Sequence, residues 1–455
     1  MKALVYDIRP AGWLACKLLG PFWKGCVGSC LGGLSLRDVP APALPGDDWV
    51  RLRTLIGGIC GTDLAIIAQK QPPDSILQAF SSMPILLGHE GVAVVEEVGP
   101  AVDRSWLGRR VCVEPTLGCT ARGITPLCGR CEAGEFGACE NFGAAGAGKY
   151  KLPAGTSIGY NNATGGALGE RFVAHESQLV PLDDRISDEL AVLTDPLACS
   201  MHAVLRAEIL RGTGVPPVSS SAGPGRTPGQ THGRDAHATE DRGQDVHAAD
   251  KVLVYGAGVL GLGIVACLRA IGFGGQIDVV GRSGQLESLA GKFGASGFLR
   301  LPPQVAGRFE MVAQRTGGTI HRARFGNLML CGGYDVVWDC VGSGRSLEEC
   351  LKWTRARGRT MLVATGTGRG ADLTSVWFRE LNVHGVYGRQ LEHFAGRRIG
   401  TYQLVHELML AGKLQAGELL THKFPIGRYK EAAAAALDKA KSRAIKVAID
   451  FRQND

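Results

Sequence analysis

Nowhere in the 455 residues does an apolar run approach the roughly eighteen residues that a membrane-spanning helix needs, so no span is expected. The start, Met1-Lys2-Ala3-Leu4-Val5-Tyr6, has no basic end leading into a long uncharged apolar core and no clear cleavage site, so it is not a secretion leader. It reads instead as a short strand, with Asp7 and Arg9 close behind. Clustered basic residues are also lacking. Lys and Arg are spread along the chain and the net charge of +7 is modest for this length, so no nucleic-acid groove is expected. Hydrophobic and charged fractions of 45% and 20% sit near the globular average, which excludes a wholly disordered or fibrous protein. Fourteen cysteines without a leader favour reduced thiols and metal ligands over a disulfide framework, and a cytoplasmic location is expected.

What is present divides by texture, and the length favours two domains or three. Up to about residue 185 the chain is rich in Gly, Val and short apolar runs with few long helical periods. Trp49 to Arg53, Val92 to Val98 and Arg110 to Glu114 read as strands of a small, partly closed β domain. From Lys251 the pattern changes. Strands are expected at Val252–Tyr255, Ile277–Val280, Asp335–Asp339 and Thr360–Ala364, with helices at Leu260–Ile271 and Ser346–Arg357. Alternating strands and helices imply a doubly wound parallel sheet, making the fold class α/β. Helices at Tyr402–Lys413 and Tyr429–Lys441 and a strand at Ala444–Phe451 complete the expectation.

Between these parts, Gly212 to Asp250 has almost no bulky apolar residue and repeats Gly-Arg-Asp-Ala-His-Ala at 233 as Gly-Gln-Asp-Val-His-Ala at 243. Such a composition cannot bury enough surface to offset its ordering entropy and reads as a disordered insertion. A metal-binding tract of His232, His237 and His247 is the lesser alternative.

Four motifs carry chemistry. Gly256-Ala257-Gly258-Val259-Leu260-Gly261 follows a strand and opens an apolar helix, the context in which a G-x-G-x-x-G binds a dinucleotide pyrophosphate. At the end of the next strand, Gly281 and Arg282 stand where an acid would select NAD; the guanidinium favours the 2'-phosphate of NADP. Cys119, Cys128, Cys131 and Cys139 form C-x8-C-x2-C-x7-C, a donor set suited to a closed structural zinc site. The fourth motif combines Leu87-Gly88-His89-Glu90-Gly91 with Cys60 in Gly58-Ile59-Cys60-Gly61-Thr62-Asp63. Alone, the His-Glu pair is a loop-strand junction; with Cys60 it supplies one S, one N and one O ligand for an open, catalytic zinc. Asp195, before Pro196, offers a further carboxylate.

This order of motifs resembles the zinc-dependent medium-chain alcohol dehydrogenase family, and within it the branch of polyol, threonine and glucose dehydrogenases. The resemblance spans Met1 to Phe451 except the insertion. It implies a GroES-like β catalytic domain in residues 1–187, with a structural zinc lobe at 115–142, a Rossmann domain in 188–390 interrupted by 212–250, and completion of the catalytic domain by 391–455. It implies that Cys60 and His89 bind the catalytic zinc and that Glu90 binds it or exchanges with water. Asp195 is implied as a ligand or near-ligand, Thr62 as the hydroxyl passing on the substrate proton, and Asp63 as the acid orienting His89. Val341, after the strand ending at Asp339, is placed against the nicotinamide.

The expected activity is hydride transfer between an alcohol, polyol or sugar hydroxyl and NAD(P), with zinc and NADP rather than NAD as cofactors. A homo-oligomer, dimer or tetramer, is implied, and small molecules are the expected partners. Three departures from the family pattern stand out. Ala65 replaces a relay histidine two residues past Asp63, Thr125 stands at the first cysteine position of the usual lobe so that Cys119 must fill in, and the insertion enters just before the first Rossmann strand. Ala65 and the insertion sustain one alternative, a non-catalytic NADPH-binding protein stabilised by zinc. The histidines at 175, 202, 321, 384, 393, 406 and 422 read as surface or satisfied core groups, and Cys199, Cys267, Cys331, Cys340 and Cys350 as packing.

Overall fold

In the computed structural model, the described residues are 1–20, 22, 25–26, 28–70, 75–209, 249–366 and 368–453. The expected insertion, including its three histidines, lies outside them except for its last two residues.

The first sheet is built around Trp49–Ile59, whose eleven residues alternate valine, leucine and isoleucine with polar neighbours before running into Gly57 and Gly58. The sheet has seven strands, in the order Leu420–Phe424, Lys446–Asp450, Trp49–Ile59, Glu90–Val98, Arg110–Val113 and Leu179–Pro181, with Arg171–His175 pairing on the central strand. Lys446–Asp450 lies antiparallel to Trp49–Ile59, with Val447 opposite Ile59 and Ala448 opposite Gly58. Residues far apart in sequence thus meet at the end of the strand that leads into Cys60. Trp49, Leu52, Ala93, Val111 and Phe172 fill the core on one side. Lys2–Tyr6, Leu34–Asp38 and the short Ile85–Leu86 make a separate three-stranded sheet.

The second large sheet has six strands in the order Gly297–Leu299, Gln276–Val280, Lys251–Tyr255, Tyr334–Asp339, Thr354–Leu362 and Asn382–Gly385. Every pairing in it is parallel. Its central strands are continuous apolar runs because both faces are covered. The helices Thr194–Arg206 and Val259–Ala270 pack together and bury Leu197, Met201, Leu262, Val265 and Leu268 beneath it. The α/β class with a doubly wound parallel sheet is therefore the observed architecture, and the expected strands each overlap an observed one, although those expected at Arg110–Glu114, Thr360–Ala364 and Ala444–Phe451 run past the observed Arg110–Val113, Thr354–Leu362 and Lys446–Asp450.

The helix expected at Tyr429–Lys441 divides at Asp438 into Tyr429–Leu437 and Lys439–Ser442, and two further elements differ from expectation. The helix expected at Ser346–Arg357 runs Gly344–Trp353 and gives way directly to the strand Thr354–Leu362. Thr354 Oγ1 donates to Cys350 O at 2.8 Å, satisfying a last-turn carbonyl while the β-branched residue turns the chain into the strand. The second difference is a helix at Pro10–Leu19, inside the region expected to be mainly strands. Proline at the first helical position has no amide proton to leave unpaired and a ring that fixes a helical φ, a local start signal. Cys331, expected to pack, is exposed.

Candidate active site

Cys60 lies where the central strand ends and the helix Gly61–Ile67 begins, and it serves as that helix's N-cap. Its sulfur accepts from Thr62 N at 3.5 Å, while Asp63 Oδ2 accepts from Cys60 N at 2.9 Å. This reciprocal box fixes Cys60, Thr62 and Asp63 as one unit. Opposite it, Gly88 adopts φ +100, and a Cβ there would come within 2.5 Å of Leu168 N. Only glycine allows the turn that presents His89 and Glu90 at the start of Glu90–Val98.

The result is one cluster. The ligand atoms of Cys60, His89 and Glu90 all lie within 4.8 Å of one another. His89 Nδ1 is buried with no hydrogen-bond partner and stands 3.8 Å from Asp63 Oδ1. That oxygen also accepts from Tyr160 Oη at 3.2 Å, and the Tyr160 ring packs against the imidazole. Burial pushes the His89 pKa down, favouring the neutral imidazole that a metal needs. Burial pushes the Cys60 thiol up, against the pull of Lys446. A thiol, an imidazole with an orphaned second nitrogen and a carboxylate, brought together in a buried place, fit a zinc ion.

Around this cluster lie charged residues that motif reading missed. Lys446, from the strand Lys446–Asp450, forms a buried ion pair with Glu90. Burial lowers its pKa to about 8, while Cys60 and Asp63 work the other way. The available signal was a lone lysine between Ile445 and Val447 in an apolar run, a charge that a strand interior accepts only with a partner. Asp195, in the first turn of Thr194–Arg206, is not one of the clustered ligands. Its carboxylate pairs with Arg389 and accepts from Tyr402 Oη. Arg389 Nε also stands 3.6 Å from Glu114 Oε1, whose carboxyl burial pushes upward in pKa. Asp195 is held by these partners, yet its charge still acts on both Cys60 and His89. Next to it, Thr194 Oγ1 shares a 3.0 Å hydrogen bond with His406 Nε2, and burial lowers the His406 pKa to about 4.

Cys119, Cys128, Cys131 and Cys139 form the second cluster, with all four sulfurs within 4.8 Å of one another. Burial pushes the Cys128 thiol up, but backbone N–H groups of Cys131 and Glu140 and neighbouring thiols outweigh it and bring its pKa to about 6. Asn141 Nδ2 donates to Cys119 Sγ at 3.3 Å. Four sulfurs with backbone donors aimed at them suit a closed zinc site, and Cys119 occupies the place the irregular spacing required of it.

At the glycine turn, Gly256 has φ +115, and a Cβ there would meet Val341 Cγ2 at 2.8 Å. A Cβ on Gly261 would run into Gly256 O, whereas Gly258, the N-cap of the helix opened by Val259 and Leu260, faces open space. These are a tight turn, a close helix-strand contact and an unobstructed helix N-terminus. A Cβ on Gly281 would collide with the Phe298 ring, and Arg282 beside it is exposed. Asp278, the acid of the same strand, is buried under Arg315 and Tyr334 and is spent there. Val341 is half exposed, with its N–H donating to Asp339 Oδ1 at 3.0 Å.

A parallel sheet with this turn, joined to an S/N/O donor cluster and a four-thiol cluster, defines a zinc-dependent oxidoreductase that works with a nicotinamide dinucleotide. Two family models match the chain, the alcohol dehydrogenase GroES-like domain over residues 46–184 and the zinc-binding dehydrogenase domain over residues 259–401, together more than half of it. The chain belongs to the zinc-dependent medium-chain alcohol dehydrogenase family. It is similar to L-idonate 5-dehydrogenase of Vitis vinifera, 24% identical and covering 91% of each chain. It is also similar to sorbitol dehydrogenase of Arabidopsis thaliana, 25% identical over 92% of this chain and 93% of that one. In fold it is similar to 2R,3R-butanediol dehydrogenase from Bacillus subtilis, with a TM-score of 0.63, 21% identity and 99% of each chain covered. Among the described residues no helix is long and apolar enough to cross a membrane.

Proposed function

We propose that this chain oxidises a secondary alcohol, polyol or sugar hydroxyl, with NADP favoured over NAD as hydride acceptor. The clustering of Cys60, His89 and Glu90 within 4.8 Å carries the reading. These three would hold a catalytic zinc, and Cys119, Cys128, Cys131 and Cys139 a structural one. When bound, the catalytic ion would supply Lewis-acid polarisation of the substrate oxygen. The chain's own residues do the rest. Asp63 faces the His89 ring on its Nδ1 side at 3.8 Å and is the carboxylate placed to orient it, and Thr62, 3.8 Å from Cys60 Sγ, offers a hydroxyl that takes the substrate proton toward solvent. Lys446 gives the buried Glu90 side chain its charged partner. Asp195, fastened to Arg389 and Tyr402, shapes the field of the site rather than binding the metal.

On this reading residues 1–187 and 391–455 form the catalytic domain and 188–390 the dinucleotide-binding one. The names of the curated relatives point to polyols and sugar acids as first substrates to try, and exposed Arg282 beside Gly281 supports the NADP preference. The test is a spectrophotometric screen of sorbitol, L-idonate, 2,3-butanediol and L-threonine with NAD and NADP side by side, on protein assayed for metal. About two zinc ions per chain and reduction of the dinucleotide by at least one alcohol are expected. About one zinc and no turnover with any of them would replace this reading with a dinucleotide-binding protein that has no activity.

A further inference from the structure

The segment between the strands Lys2–Tyr6 and Leu34–Asp38 contributes nothing to the site above, yet it carries Cys16, Cys26 and Cys30. Cys16, on the helix Pro10–Leu19, and Cys26, in the turns beyond it, are 3% and 0% exposed, and their sulfurs are 2.8 Å apart. That is closer than the 3.6 and 3.9 Å sulfur contacts within the four-cysteine cluster. Cys30 is exposed. Neither Cys16 nor Cys26 belongs to a metal-capable group among the described residues.

The geometry points to Cys16 and Cys26 as a reversible modification site, a thiol pair that becomes a disulfide by exchange with a small disulfide of the glutathione class. A disulfide needs its sulfurs about 2.0 Å apart, so the pair closes by less than about an ångström, within reach of side-chain torsions. In the exchange, the thiolate of one cysteine attacks the oxidant's S–S bond and releases one small thiol. The second thiolate then attacks the protein sulfur of the mixed disulfide and releases the other. Two protein S–H bonds and one small-molecule S–S bond are lost; one protein S–S bond and two small-molecule S–H bonds are formed. The protein gives up two electrons and the oxidant takes them.

Burial pushes the Cys16 thiol up to about 11, so the reaction waits on local opening around the buried pair. The pair is also connected to the helix that carries Cys60. Lys17 Nζ donates to Gln69 O at 3.0 Å. Gln69 follows the helix Gly61–Ile67.

The experiment equilibrates zinc-loaded full-length protein with graded mixtures of reduced and oxidised glutathione. Remaining thiols are blocked with N-ethylmaleimide in denaturant and the products are mapped by mass spectrometry. Loss of two hydrogens and a peptide linking Cys16 to Cys26 are expected, preserved in Cys30→Ser and absent in Cys16→Ser. Should Cys16→Ser fail to fold, the unaltered chain and Cys30→Ser still locate the linkage. Full maleimide labelling of Cys16 and Cys26 at the most oxidising ratio, a bond to Cys30, or glutathione on Cys30 with the other two free would each overturn the assignment.

Discussion

The two metal-capable clusters are built in opposite ways. The four-cysteine lobe closes over a short stretch, with Cys119 and Cys139 only 20 residues apart, and all of its donors are alike. The cluster of Cys60, His89 and Glu90 mixes three donor types, and its charge balance comes from Lys446, 356 residues from Glu90. Local loops close at little entropic cost, so the lobe's own turns bring its four sulfurs together, while Leu391 N and Arg398 Nη2 donate to the Gly134 and Ala133 carbonyls from outside it. The active-site cluster depends on the whole β sheet being in register. On the proposed function, the catalytic site is the one built from long-range contacts and the structural site the one whose ligands come from a single short stretch.

The largest expected effect separates the two directly. Cys60→Ala should lower turnover by at least about a thousandfold, roughly 4 kcal/mol of barrier, while dinucleotide binding followed by fluorescence persists. Cys131→Ala should instead remove the other zinc and lower the thermal midpoint, leaving turnover of the folded fraction within about tenfold. Equal losses of turnover in the two variants would erase the distinction.

Next comes the long-range ion pair. Lys446→Met leaves the Glu90 carboxylate buried and unpaired, which should cost about 3 kcal/mol in urea denaturation. A loss below about 1 kcal/mol would mean that Glu90 does not depend on Lys446.

The smallest effect concerns pH on the active-site side. His406 has its pKa lowered from 6.5 to about 4 by burial. Between those values the unfolded chain takes up a proton that the folded chain refuses, so stability is complete above about pH 6.5 and falls as the pH drops toward 4. His406→Gln, able to keep a bond to Thr194, should reduce the stability difference between pH 7 and pH 5 by on the order of 2 kcal/mol. An unchanged difference in the variant would place the acid sensitivity elsewhere.

The same contrast governs what could be read from the amino-acid order. The glycine turn at 256–261 announces itself because its strand, turn and helix are contiguous, and the four cysteines because they crowd one loop. Cys60, His89 and Glu90 are legible as residue types in short motifs, and the structure brings their ligand atoms together. Lys446, Arg389, Tyr402 and Glu114 are not legible that way. Asp195 meets Arg389 and Tyr402 across 194 and 207 residues, and no local period or spacing encodes such a pairing. For the same reason Asp195 looks like a ligand in sequence and becomes the partner of an arginine in three dimensions. The helix Pro10–Leu19 was missed for a different reason, since its signal is one proline and its outward face keeps Leu14 and Leu18 exposed rather than showing a clean apolar stripe.

The bond between Glu90 and Lys446 also sets an order of events during synthesis. Chains grow from the N-terminus, so the central strand, His89 and Glu90 are all made long before the strand that carries Lys446. Until that strand inserts beside Trp49–Ile59, Glu90 has no buried counter-charge, and the first sheet cannot close around it without a penalty. A ribosome-bound chain ending before residue 446 would therefore hold the four-cysteine lobe in a folded loop while its active site stayed open to water.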